Sequence, residues 1–256
     1  IQGAASTVTG PTGIGTNYTN SNVITLLSSF GSNTIVTTGN ISTGNLVTTN
    51  GVFYPSGLNY RDVAQGEIFT PPVLSGFTAV NQGTAGFVQR PGYISMYAPA
   101  VNSENLRMLV RSIPNLTGVW SAVACLNGTL YYPPTSRFGI CLYDSSSTKV
   151  RTHGVIGYNA LILELANFSS PTTWVSIQTS NTTMLAAPHW WRIRCDGAST
   201  PSLYYDYSAD GYQWNTVYSE TVTSSYLAGA THVGVYCESY NAGFGVSMGF
   251  LSWTFG

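Results

Sequence analysis

Two neighbouring segments, 191–197 (WRIRCDG) and 203–214 (LYYDYSADGYQW), are the most informative part of this sequence. In the first, apolar Trp, Ile and Cys alternate with charged Arg and Asp, which is the period of a strand with one buried face. In the second, Ser-Ala-Asp-Gly at 208–211 predicts a tight hairpin turn, because Asp and Gly readily adopt the positive φ angles that such turns require. We expect Trp214 to pack back over this turn.

Short strand-like runs separated by turn clusters continue in both directions, from about Tyr60 to the end of the chain. Breakers such as Asn127-Gly128 and Pro133-Pro134 stand between the runs. The strands are predicted at residues 92–98, 107–113, 120–126, 137–143, 150–156, 161–165, 173–178, 190–196, 203–208, 213–218, 232–237 and 246–255. This pattern indicates an all-β protein with a single antiparallel β-sandwich.

The composition excludes several functional classes. Charged residues make up 7% of the 256 residues, with 9 Lys and Arg against 10 Asp and Glu, whereas about 25% is usual. Since no cluster of Lys and Arg exists, we expect no nucleic acid as a partner. No apolar run approaches the roughly 20 residues of a membrane-spanning helix, so we expect no membrane insertion. With 43% hydrophobic residues the chain has ample material for a core.

The first 60 residues contain no Asp, Glu, Lys, Arg, His or Cys. The phrase IVTTGN at 35–40 is echoed by LVTTNG at 46–51, an imperfect repeat of an apolar pair, a Thr pair and a turn. Such repeats need neighbouring repeats or other copies of the chain to cover their apolar positions. We therefore interpret residues 1–60 as an extended oligomerisation and attachment segment, the shaft or collar of a fibre, and residues 61–256 as the sandwich. A flexible linker is the alternative.

The sandwich resembles a known family. The strand and turn at 191–197, the hairpin at 207–214, the strand VGVY at 233–236 and the closing strand FLSW at 250–253 resemble concanavalin A-like, laminin-G-like modules. These modules occur in extracellular carbohydrate-binding proteins and in bacteriophage tail-fibre and other virion proteins. The resemblance implies a jelly-roll or concanavalin A-like, lectin-like sandwich. The N-terminal segment looks like the shafts that precede such heads in phage fibres.

Together the two resemblances imply a homotrimeric virion protein on the surface of the phage particle. Its partners would be its own copies, other virion proteins bound through the N-terminal segment, and a host-surface glycan. Three weak sites would then act together by avidity. The alternatives are a capsid-decorating or head-fibre protein, which only protrudes from the particle, and a surface-polysaccharide hydrolase.

Sugar binding requires aromatic faces for the apolar sides of pyranose rings and polar groups for the hydroxyls. Three aromatic and polar sets lie in predicted loops or at their edges. They are Tyr131 and Tyr132 with Arg137, Tyr212 with Trp214, and Tyr240 and Asn241 with Glu238. A place in the core or in a subunit contact is the alternative for each aromatic residue. Trp190 and Trp191 are adjacent, so a strand sends one of them outward, where it is an interface candidate.

Neither catalysis nor a cofactor is predicted. The spacing Asp206-x-Ser208-x-Asp210-Gly211 is similar to a calcium loop, but Val217 stands where an EF-hand needs its bidentate Glu. A pair such as Asp206 and Glu238 could face each other, yet nothing in the sequence pairs them. We expect a protein that is not an enzyme and holds no metal. The four Cys residues lack any Cys-x-x-Cys spacing and are expected to be buried and reduced, with a bridge from Cys195 to Cys237 as the alternative.

Overall fold

A computed structural model describes residues 69–130, 135–240 and 243–256, without the side chains of residues 180–182. The predicted segment 1–60 and its boundary with the sandwich lie outside these residues. The described residues form two seven-stranded sheets in which all neighbouring strands are antiparallel. The prediction of an all-β antiparallel sandwich is confirmed.

The fourteen strands are β1 (Thr78–Val80), β2 (Gly86–Arg90), β3 (Tyr93–Ala98), β4 (Arg107–Ser112), β5 (Val119–Gly128), β6 (Ser136–Tyr143), β7 (Val150–Gly157), β8 (Leu161–Ser170), β9 (Thr173–Thr183), β10 (Trp190–Asp196), β11 (Ser202–Ser208), β12 (Asn215–Thr221), β13 (His232–Ser239) and β14 (Val246–Phe255). Short 3-10 helices cover Leu74–Gly76 and Val222–Ser224. None of the helices in the described ranges is long and apolar enough to cross a membrane.

Sheet A has the order β1-β4-β13-β6-β7-β8-β9, and sheet B has the order β12-β11-β10-β5-β14-β3-β2. All twelve predicted strands are present. The prediction omitted β1 and β2, which are the short edge strands of sheets A and B. Edge strands carry little periodic signal because only one side of the backbone ladder is paired and few of their side chains are buried.

The hairpin between β11 and β12 has the predicted turn. Gly211 adopts a φ of 78°, and the side-chain oxygen of Ser208 accepts hydrogen bonds from the backbone N–H groups of Asp210 (3.2 Å) and Gly211 (2.9 Å). The residue that packs on this turn is Trp190, whose indole atoms lie 3.0 Å from the position of a Cβ at Gly211. Trp214 instead stacks on Arg192, with the guanidinium carbon 4.2 Å from the ring centroid.

The main core lies between the sheets and contains Trp191, which is fully buried. Trp190 points to the other face of sheet B, but only 7% of its surface is exposed. Phe69 covers it, with the two ring centroids 5.6 Å apart. Trp190 is thus the outward-facing Trp that the strand predicts, but Phe69 covers it and leaves little of its surface exposed for an interface with another chain.

A second core lies on the outer face of sheet A, which the sequence analysis did not anticipate. Its buried side chains are Leu106, Met108, Val110, Cys141, Val150, Ala166, Phe168 and Tyr236. The turn between β8 and β9 reaches back to the start of β4, where the N–H of Leu106 donates to the carbonyl of Pro171 (2.8 Å). Both faces of β6 and β7 are consequently buried.

All four cysteines are buried, and Cys141, Cys195 and Cys237 are free thiols. This agrees with the predicted reduced state and excludes the bridge from Cys195 to Cys237 in this structure. Burial raises the pKa of Cys237 to about 12. These thiols are packing residues and not reactive groups.

His153 makes the stability of the main core dependent on pH. Its ring packs against Trp191 and Tyr205, and Nε2 donates to the carbonyl of Asp206 (3.0 Å). Burial lowers the pKa of His153 to about 4. The folded state thus disfavours protonation, and its stability falls as the pH decreases from the unfolded pKa of about 6.5 through the folded one.

We predict that the free energy of unfolding decreases by about 3 kcal/mol between about pH 7 and pH 4 through this one group. Urea unfolding across that range measures the decrease. His153→Leu is expected to be less stable at neutral pH, with a weaker dependence on pH. An unchanged pH slope in the variant would assign the acid sensitivity to other groups.

Candidate functional site

A cavity of about 290 Å³ opens on the outer face of sheet A. It lies where β6 begins and β13 ends, and the curled edge strand β9 forms its far wall. Its lining residues are Glu104, Thr135, Arg137, Ile156, Tyr158, Ile162, Glu164, Trp174, Ile177 and Tyr240.

The register of sheet A places Arg137 at the centre of this site. Arg137 on β6 pairs with Glu238 on β13 at one side and with Ile156 on β7 at the other. Two residues further along β6, on the same face, Gly139 pairs with Gly154 on β7, and Gly154 pairs with Glu164 on β8. Two positions without side chains thus lie between Arg137 and Glu164, and the hydroxyl of Tyr236 lies over Gly154, 2.6 Å from the position of a Cβ there.

Three carboxylates surround the guanidinium of Arg137. Its Nε lies 3.1 Å from Glu238 Oε2, one terminal nitrogen lies 3.6 Å from Glu164 Oε1, and the other lies 3.5 Å from Glu104 Oε2. The ring of Phe168 covers one side, with its centroid 5.4 Å from the guanidinium carbon. Only 4% of the Arg137 side chain is exposed.

The cluster has more negative than positive groups, and burial strongly affects their titration. Burial raises the pKa of Glu238 well above its ordinary range, and the neighbouring carboxyl of Glu104 raises it further. Burial also raises the pKa of Glu164. Burial acts to lower the pKa of Arg137, but Glu238, Glu164 and Glu104 together raise it above its usual value. Three carboxyl groups thus face one guanidinium.

The segment between β3 and β4 supplies Glu104 and is fixed at several points. The N–H of Val101 donates to the carbonyl of Ser239 (3.1 Å). The N–H of Asn105 donates to the carboxylate of Glu238. Because this segment also bonds to the turn between β8 and β9, Glu104 is held at the cavity by backbone contacts from two sides.

Aromatic and aliphatic side chains form the wall of the cavity. Trp174 and Ile177 on β9 are 43% and 48% exposed, and Tyr158 after β7 is 53% exposed. Tyr240 is half-buried, and its N–H donates to the carbonyl of Thr135 (2.8 Å). The cavity therefore combines exposed planar rings with a charged floor, which is the composition of a small-ligand site.

The sugar-binding residues predicted from the sequence fall into two places. Arg137 and Tyr240 both line the cavity, and Glu238 contacts Arg137 from behind it. Tyr212 and Trp214 lie on the hairpin of sheet B. Tyr131, Tyr132 and Asn241 lie outside the described residues.

The hairpin residues differ from the cavity in their chemistry. Tyr212 is 62% exposed, while the ring of Trp214 is half-buried and stacked on Arg192. Arg192 and Arg194 both donate to the buried carboxylate of Asp206, at 2.8 and 3.0 Å. The charged side chains of this region thus pair with one another and not with a ligand.

Asp206 and Glu238 do not form the carboxylate pair that the sequence left open. Asp206 lies on β11 of sheet B and binds two arginines, whereas Glu238 lies on β13 of sheet A and binds Arg137. The sheets separate the two carboxylates because each belongs to the outer face of its own sheet.

No pattern in the sequence predicted that Trp174, Tyr158, Glu104 and Glu164 share one site. A usable signal existed for Glu164, which interrupts the apolar run LILEL at 161–165. A charge inside such a run is expected to be paired or functional. Nothing in the sequence indicated that β9 curls over the same face.

Comparison with known proteins identifies similar folds among solved structures. No family model matches the chain, and no curated protein matches it. A mutant of the GH43 protein BlXynB from Bacillus licheniformis is 14% identical, with a TM-score of 0.49, over 66% of this chain and 33% of that one. The chain thus spans about a third of the length of that protein.

Two smaller structures are similar over most of their length. The CBM2 module of the evolved Dit protein of Lactobacillus casei BL23 phage J-1 is 8% identical, with a TM-score of 0.45, over 71% of this chain and 89% of that one. Lectin I-B4 from Griffonia simplicifolia, in its metal-free form, is 11% identical, with a TM-score of 0.42, over 72% and 94%.

Proposed function

We propose that this protein adsorbs to a host-surface glycan without catalysis and that the glycan enters the cavity on sheet A. The proposal rests on one observation. Exposed Trp174 and Tyr158 line the same cavity as the charged residues Arg137, Glu104 and Glu164. The aromatic rings offer faces for the apolar side of a pyranose ring, and the charged groups bind its hydroxyls.

The burial and ion pairing of the carboxylates favour binding over hydrolysis. The Glu238 side chain is fully buried, so it has no route to a glycosidic oxygen. Glu164 faces the Arg137 guanidinium, whose positive charge favours the ionised carboxylate over the protonated form that a general acid needs. A hydrolase needs one carboxyl free to donate a proton and a second free to act as base or nucleophile. Release of reducing sugar from host polysaccharide would contradict the proposal.

We predict that Trp174→Ala weakens glycan binding about tenfold or more, since stacking on an aromatic ring supplies much of the affinity for sugars. A glycan array identifies a bound oligosaccharide, and isothermal titration then compares the variant with the unchanged chain. Trp214→Ala is the matched control and is expected to bind normally. Lost binding in Trp214→Ala with normal binding in Trp174→Ala would place the site on the hairpin.

We further propose that the protein is a homotrimeric phage virion fibre or receptor-binding protein, attached to the particle through residues 1–60. The absence of charge and the apolar repeat in that segment support assembly with other copies. Capsid decoration is the second candidate, favoured by the same segment if it binds neighbouring capsid subunits. Cryo-EM of the particle separates the two, and a monomeric mass of the full chain would contradict the trimer.

A further inference from the structure

The cavity carries surplus negative charge at its surface. Of the residues that line it, Glu104, Glu164 and Arg137 bear charge, and the remaining ones are neutral. The closest ion pair of Arg137 is with Glu238, at 3.1 Å, behind the cavity. The carboxylates of Glu104 and Glu164 lie further from the guanidinium nitrogens of Arg137, at 3.5 and 3.6 Å. Their charge is incompletely balanced, which is costly in a buried site.

Glu164 also has an oxygen that lacks a hydrogen bond. Its Oε1 is buried, and among the residues that the structure describes no donor is placed to hydrogen bond to it. The contact with Arg137 is an ion pair that is too long for a good hydrogen bond. The oxygen belongs to a side chain that lines the cavity. It is thus a buried acceptor without a hydrogen-bond donor.

We infer that the cavity takes a hexosamine residue with a free amino group and that its ammonium group binds Glu164 and Glu104. This inference rests on the proposed function, because the cavity must first be a glycan site. The ammonium group donates hydrogen bonds to the carboxylates and compensates their surplus charge. The rings of Trp174, Tyr158 and Tyr240 favour a cation close to their faces. A neutral sugar leaves the charge uncompensated, and an acidic sugar is repelled.

Three oligosaccharides that differ only in the substituent at C2 test the inference. Tetramers of glucosamine, N-acetylglucosamine and glucose with the same linkage are titrated calorimetrically into the full chain at about pH 6, where the amine is protonated. We expect the glucosamine tetramer to bind about tenfold or more tightly than the glucose tetramer, as a charge-assisted hydrogen bond provides. Trilysine serves as an ammonium-bearing peptide and is expected to bind far more weakly.

Glu164→Gln keeps the shape of the side chain and removes its charge. We expect this variant to lose the preference for glucosamine and to retain weak binding of the glucose tetramer. Asp196→Asn on sheet B is the matched control, because it removes one negative charge from the chain away from the cavity. Thermal unfolding is measured for each variant, and Glu104→Gln replaces Glu164→Gln if the latter does not fold.

The outcomes separate this inference from the proposed function. Equal binding of the glucosamine and glucose tetramers, both lost in Trp174→Ala, overturns the amino-sugar inference and leaves the glycan site. A preference for glucosamine that persists in Glu164→Gln or in Glu104→Gln also overturns it. Trilysine binding as tightly as the glucosamine tetramer assigns the cavity to peptide ammonium groups. If no array glycan and no tetramer binds, the proposed function itself fails.

Discussion

Gly154→Ala is expected to lower the free energy of unfolding by about 3 kcal/mol or more, a large loss for a single methyl group. A Cβ at this position would overlap the carbonyl oxygen of Phe138 and would lie 2.6 Å from the hydroxyl of Tyr236 and 2.8 Å from the Cα of Gly139. Two of these three atoms are backbone atoms, which cannot move without separating β6 from β7. Urea unfolding monitored by Trp fluorescence measures the loss.

Gly76→Ala is the matched control, because no atom lies within 4 Å of a Cβ placed there. Its stability is expected to stay within about 0.5 kcal/mol of the unchanged chain. A similarly small change in Gly154→Ala would show that β6 and β7 can separate. The close packing of Gly139 and Gly154 would then not be a requirement of the fold.

Arg137→Met is expected to lower the free energy of unfolding by about 3–5 kcal/mol at about pH 8, because it leaves buried carboxylates without their guanidinium. The loss is expected to be smaller at about pH 5. The reason is that Glu238, whose pKa is strongly raised by burial, is protonated there and no longer needs a cation. Unfolding at both pH values, compared each time with the unchanged chain, measures the difference.

Arg90→Met, at an exposed position of β2, controls for the loss of one positive charge. A second variant that combines Arg137→Met with Glu238→Gln is expected to recover part of the lost stability at about pH 8. The reason is that it also removes one of the buried carboxylates that lost its guanidinium partner. An equal loss at both pH values, with no recovery in the double variant, would show that Arg137 stabilises by packing on Phe168 and not by charge.

The positions of the strands could be predicted because they depend on local alternation of apolar and polar residues. β10 has the predicted bounds, and the turn at Ser208–Gly211 forms as Asp and Gly indicate. For the candidate site, single residues could be predicted, but not that they lie together. Arg137 and Tyr240 were singled out in separate sets, and Trp174 was assigned only to a strand. Each residue type indicated its chemistry, but not its neighbours.

The second core shows why the remainder could not be predicted. Met108 and Val110 occupy the face of β4 that a simple sandwich leaves to solvent, yet both are fully buried. They are covered because β8 and β9 form a long hairpin that curls back over sheet A. Curling of this kind depends on twist and register between strands distant in sequence, which local periodicity does not encode.

The sequence by itself therefore determined the β class, the twelve longer strands, the hairpin turn and the uneven charge distribution. Local sterics and the burial of one face fix these features within a few residues along the chain. Only the tertiary structure decided that Glu104, Arg137, Glu164 and Glu238 meet, that Phe69 covers Trp190, and that the cavity lies on sheet A. Those outcomes depend on which strands pair and on where the connecting segments pack, since both set the distances between groups that are far apart in sequence.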